Sequence, residues 1–193
     1  MVDYGTVDEI LETTDNMTFI RNNSLNDDGT DVVDGVDWFQ YNGKTASKLY
    51  VSGNSWIGIG ENSEQLKIVR RDADLMTLRR EEGTLWGTYR FLRVRWEGYS
   101  VHGNRTDATR LVWDMVFFDT GEICVRFETI PTNSSYLAAS SLVTGGGTIE
   151  FVPLSGKTIT FKPQDNAGKT FELKDHAPVF LDPYNRRYLV TDA

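Results

Sequence analysis

The chain has 193 residues, 39 % hydrophobic, 25 % charged and 12 % aromatic, a composition that carries an ordinary packed core and excludes global disorder. Its formal net charge of −8 keeps it soluble and argues against generic nucleic-acid binding, which recruits Lys and Arg. The single cysteine, Cys124, excludes an intrachain disulfide and reads as a small core or interface residue.

In chain order, residues 6–13 (TVDEILET) suit a short helical turn or an extended arm. Residues 22–37 (NNSLNDDGTDVVDGVD) are polar, acidic and turn-rich, and predict a loop. Strand signals follow closely: DWFQY (37–41), SKLYV (47–51), SWIGIG (55–60), QLKIVRR (65–71) and DLMTLRR (74–80). The Asn42-Gly43 pair between apolar runs predicts a tight hairpin.

Residues 89–96 alternate Leu92, Val94 and Trp96 with Phe91, Arg93 and Arg95, one face apolar and the other cationic. Residues 111–119 put Leu111, Trp113, Met115 and Phe117 on one face, and 122–128 do the same with Ile123, Val125 and Phe127. Asp119-Thr120-Gly121 joins these two runs as a hairpin. The pattern predicts an all-β fold: an antiparallel, jelly-roll-like β-sandwich with Leu92, Val94, Trp96, Trp113, Met115, Ile123, Val125 and Phe127 inward. Small and polar residues from 132 to 141, then Gly145 to Gly147, suggest a boundary. Runs at 148–152, 157–162, 169–174 and 177–181 follow as a small C-terminal meander. The expected organisation is an acidic arm or loop (1–36), a sandwich (37–144) and a meander or appendage (145–193).

Charge is uneven. Residues 1–40 hold ten Asp or Glu against one basic residue, Arg21, whereas residues 67–110 are rich in Lys and Arg. That asymmetry suits docking between copies or to a partner; two differently charged solvated faces explain it equally well. The start, MVDYGTVDEI, has no basic segment followed by an apolar run, so no signal peptide is expected, and no window has the apolar length of a membrane span.

Chemistry-bearing patterns are weak. Ser24 to Asp31 resembles half of a calcium loop, but Gly35 stands where a bidentate Glu belongs, and a solvated acidic turn is the better reading. Two His and one Cys cannot build a zinc site without several carboxylates, so no metal and no cofactor are expected. Glu97, Asp114, Glu122 and Glu128 are carboxylates of the kind a glycoside hydrolase pairs, yet nothing sets two of them across a cleft. The arginines Arg70, Arg71, Arg79, Arg80, Arg90, Arg93 and Arg95 suit a polyanion grip or, more simply, a charged sheet face paired to acids. No catalytic residues are expected. Candidate binding residues are Trp86, between Gly83 and Gly87, and Tyr99, His102 and Arg105 around the 98–106 loop, at the two ends of the 89–96 strand.

The stretches SKLYVSGNSWIGIG (47–60), TYRFLRVRWEGYS (88–100) and RLVWDMVFFDTGEICVRFE (110–128) resemble a β-sandwich module of bacteriophage tail fibres and other virion appendages. The terminal NRRYLVTDA (185–193) is similar to short elements of phage tail proteins. The resemblance spans roughly half the chain and rests on strand patterns; adhesion modules share them. It implies a non-enzymatic virion structural protein in a tail, fibre or head appendage, made in the host cytoplasm. Its partners would be copies of itself and other virion proteins, with a host-surface glycan as a further ligand, and neither nucleic acid nor membrane insertion is expected. The alternative is a carbohydrate-binding or adhesion module of a bacterial surface protein; a glycoside-processing enzyme is a more distant third.

Overall fold

Alternating side chains need two partners, a core on one face and water or another layer on the other, and the chain meets this need with two antiparallel sheets. The computed structural model describes residues 11, 13–22, 28–68, 72–85, 87–131, 140–175, 179–181 and 187–189. Its strands are β1 (Thr18–Arg21), β2 (Thr30–Asp34), β3 (Gln40–Tyr41), β4 (Lys44–Thr45), β5 (Lys48–Ser52), β6 (Trp56–Ile59) and β7 (Leu66–Lys67). Next come the long β8 (Asp74–Leu85), β9 (Tyr89–Tyr99), β10 (Arg110–Phe118) and β11 (Ile123–Thr129). The last six are β12 (Ser141–Thr144), β13 (Gly147–Glu150), β14 (Thr158–Pro163), β15 (Phe171–Asp175), β16 (Val179–Leu181) and β17 (Arg187–Leu189).

Seven strands form one sheet in the order β1-β8-β9-β10-β11-β14-β15, and six form the other in the order β13-β12-β7-β6-β5-β2. β3 with β4, and β16 with β17, are separate hairpins. The protein is thus an all-β antiparallel sandwich. Its strand order refines the jelly-roll expectation: within each sheet most neighbours follow in chain order, and the chain passes between sheets after β1, β7, β11 and β13. The boundary expected at Gly145 falls in the β12–β13 turn. β13 completes one sheet, and β14 and β15 extend the other.

All eight residues expected inward are buried in one core with Leu49, Ile57, Leu66, Leu142 and Phe161. Trp96 and Trp113 are register partners on β9 and β10 and stack at 3.8 Å with planes 3° apart, a contact that adds about 0.5–1.5 kcal/mol to area burial. Their N–H groups cross to the second sheet, Trp96 Nε1 donating to the Ser52 carbonyl (3.0 Å) and Trp113 Nε1 to Ser55 Oγ (2.9 Å). The two indoles therefore bury apolar area and bolt the layers together without leaving orphan donors.

Turn chemistry follows the sequence. Asn42 and Gly43 both have positive φ (52° and 77°), as a type I′ hairpin requires. Gly121 (φ 87°) closes the β10–β11 turn, its N–H donating to the Phe118 carbonyl. Two expectations are corrected. Residues 30–34, expected as loop, form β2, because Val32 and Val33 lie opposite Tyr50 and Leu49 and the pairing with β5 overrides the Asp-rich flanks. Of DWFQY, only Gln40 and Tyr41 are strand; Asp37 and Trp38 make a turn. The expected turn at 6–13 falls largely outside the described residues.

Candidate functional site

Part of the outer face of the seven-stranded sheet is buried. Arg93, Arg95 and Asp114, neighbours on β9 and β10, are all buried. Arg93 Nε and Arg95 Nη1 each donate to one oxygen of Asp114 at 2.8 Å. Arg95 also meets Glu128 (2.7 Å) and Glu97 (3.3 Å), and Arg93 meets Glu81 (3.6 Å). Arg93 Nη1 donates to the Thr13 carbonyl (2.7 Å), and Leu11, Leu85 and Tyr89 pack on the cluster of Phe91, Val116, Phe118 and Cys124. Burial pushes the Cys124 thiol up to about 12. The cationic face read from the alternation is therefore an internal ion network, and three of the four carboxylates weighed for hydrolysis, Glu97, Asp114 and Glu128, are tied to arginines.

Two acids of the first forty residues, Asp31 and Asp34, are likewise partnered within the chain. Arg21 meets Asp31 (2.7 Å) and Lys48 meets Asp34 (2.5 Å). Of the calcium-like segment, 24–27 lie outside the described residues, and Asp31 is engaged by Arg21. Among the described residues no group of three or more His, Cys, Asp or Glu could hold a metal ion.

The 98–106 loop, where three candidate binding residues sit, is built around Asp74. Arg105 donates to both its oxygens (2.8 and 3.4 Å) and the Gly103 N–H to one of them (3.0 Å). The Arg105 hydrogen bond holds the Asp74 carboxyl below the usual carboxylate range. Tyr99, the last residue of β9, lies under the Arg110 guanidinium at 5.4 Å, and the His102 N–H donates to the Asp72 carbonyl (2.7 Å). Arg105 thus anchors the loop: it is half exposed, but it partners the Asp74 carboxylate, whose side chain is 3 % exposed. Trp86 lies outside the described residues, and the other three candidates sit at the start of the 98–106 loop and within it, at the Tyr99 end of β9.

The other end of β9 carries a groove of about 550 Å3 that sequence reasoning missed. Its walls are Trp38 and Gln40, the β10–β11 turn (119–122) and residues 162–168 around the β14–β15 connection. Trp38 is half-buried, one side of its ring under Arg90 at 5.3 Å. Its Nε1 is buried with no acceptor among the described residues. Asp165 orders one wall by accepting from the N–H groups of Ala167, Lys169 and Thr170 (2.8, 3.2 and 2.7 Å) and from the Thr170 hydroxyl. The Thr170 hydroxyl and these N–H groups push the Asp165 carboxyl down to about 2. The one signal in sequence was Trp38 itself, next to a turn-forming Asp, but its partners are up to 130 residues away (168 less 38).

The class these features define is an all-β antiparallel sandwich with an internal ion network on one sheet and a polar groove at one end. Comparison with family models, with curated proteins and with solved structures finds no match.

Proposed function

We propose that the chain is a non-enzymatic structural protein of a bacteriophage virion appendage that works by assembling with copies of itself and with other virion proteins. The observation that carries this reading is a pair of open strand edges. β1 ends one sheet and β2 ends the other, side by side and bridged by Arg21 and Asp31. Among the described residues no strand pairs with either outer edge. Phe19 and Val32 on these strands are 55 % and 58 % exposed. Sheet edges with bare apolar side chains are templates for strand addition, and monomeric proteins blunt them with charge, Pro or cover. The stretches that resemble virion modules supply β5, β6, β9, β10 and β11, the strands behind those edges.

Sedimentation of the full chain beside its Phe19→Asp/Val32→Asp variant tests the reading. Wild type should sediment as an oligomer and the variant as a monomer with an unchanged melting temperature; a monomeric wild type at high concentration refutes assembly through these edges. The second reading, a carbohydrate-binding or adhesion module of a bacterial surface protein, draws its support from the Trp38 groove.

A further inference from the structure

We propose that the Trp38 groove is a binding site for a short, neutral oligosaccharide. The inference goes beyond the assembly reading and holds in a virion or on a cell surface alike.

Size comes first: about 550 Å3 lies within the roughly 300–1,000 Å3 of small-molecule sites. The lining then selects the ligand. Apolar surface is confined to Trp38 and Pro163, too little to anchor a peptide by buried aromatic or aliphatic side chains. The rest is amide, hydroxyl, carboxylate, two glycines and the Lys162 ammonium. Asp119, Thr120 and Asn166 have no side-chain hydrogen bond of their own among the described residues, so their donors and acceptors face a ligand uncommitted. A pyranose matches that combination: its C–H face packs on an indole while its equatorial hydroxyls reach planar amides and carboxylates. The Trp38 N–H, which has no acceptor among the described residues, adds a donor that a small ring shift would offer to a sugar hydroxyl.

Charge narrows the class further. Asp119, Glu122 and Asp165 outnumber Lys162 and the Arg90 guanidinium over Trp38, which favours a neutral sugar over an anionic sugar or a phosphate. Asp165, held ionised by its loop, accepts hydrogen bonds and has no proton to give a glycosidic oxygen, which fits holding a sugar better than cleaving it.

The walls are also pre-set. The Asn42 and Gly43 N–H groups donate to the carbonyls of Gly168 and Ala167, both at 2.7 Å, tying the β14–β15 connection to the β3–β4 hairpin. Gly168 has φ 61°, and a Cβ there would stand 2.3 Å from the Gln40 carbonyl oxygen, so only glycine permits the approach. A groove ordered before binding spares the ligand the entropy cost of arranging it.

The test is a printed array of neutral and anionic oligosaccharides probed with the full chain. Calorimetry and amide-shift mapping with maltotriose, triacetylchitotriose and 3′-sialyllactose follow. A neutral trisaccharide should bind and shift the Trp38 indole and Asn166 signals, with sialyllactose at least tenfold weaker. Asp119→Ala/Asn166→Ala should keep the wild-type melting temperature and lose at least tenfold in affinity. Silence across the neutral glycans, equal binding of sialyllactose, shifts confined to the 98–106 loop, or wild-type affinity in the double variant each overturn the proposal. The Phe19→Asp/Val32→Asp protein should bind sugar normally, which separates failure of this site from failure of the assembly reading.

Discussion

Asp114→Asn removes one charge and almost no volume from the most enclosed ion network in the protein. Asp114 receives Arg93 Nε and Arg95 Nη1 at 2.8 Å each, with side-chain exposures of 2, 0 and 7 %. The amide keeps one acceptor but turns an N–H pair toward a guanidinium, leaving two cations to share Glu81, Glu97 and Glu128. Stranding a buried charge costs roughly 3–5 kcal/mol, and the remaining acids put the expected loss near the lower end, about 3 kcal/mol. For a chain of this size that is a fall in melting temperature of about 6–12 °C. Urea unfolding followed by tryptophan fluorescence reads it directly, since the Trp96–Trp113 stack lies in the core; the midpoint should fall with the m-value unchanged. Glu128→Gln is the control. It meets the same Arg95 at 2.7 Å but is 52 % exposed, so water and salt should limit its cost to about 1 kcal/mol or less. If both variants lose the same amount, burial does not govern the network and the reasoning fails.

Two further outcomes follow from the same physics. Arg105→Ala should cost roughly 1–2 kcal/mol at pH 7, because Asp74 stays nearly buried while Arg105 is half in water. Since the folded-state carboxyl is held below its ordinary 3.8, that contribution is present above this value and lost as the pH falls through the folded one. Melting curves of wild type and variant should therefore converge below pH 3.8, and a constant gap would refute the pairing. Cys124, whose thiol burial pushes up to about 12, should resist a thiol reagent at pH 8 until the chain unfolds; fast native labelling, followed by mass spectrometry, would show that the cluster of Phe91, Val116 and Phe118 does not enclose it.

Alternation with a period of two is a local property, and it was enough to orient β9, β10 and β11: Leu92, Val94, Trp96, Trp113, Met115, Ile123, Val125 and Phe127 are all buried. The Asn42-Gly43 turn was equally legible, because its φ angles depend on two residues alone. The opposite faces of the same strands were not. Arg93 and Asp114 read as part of a charged outer face with arginines paired to acids; the pairing holds, but the burial of both was not legible, nor was the Thr13 carbonyl, some eighty positions earlier, as a partner of Arg93. β2 was hidden for a similar reason, its acidic flanks outweighing two valines until β5 stands beside them. Arg105 read as a candidate binding residue, since nothing in its neighbourhood names Asp74 as its partner. The groove is the extreme case, with Trp38, the 119–122 turn and residues 162–168 meeting only once the order of both sheets brings those turns to one end. Local periodicity tells which side of a strand is apolar; what covers the other side, and which loops become neighbours, depends on long-range pairing that no window of sequence contains.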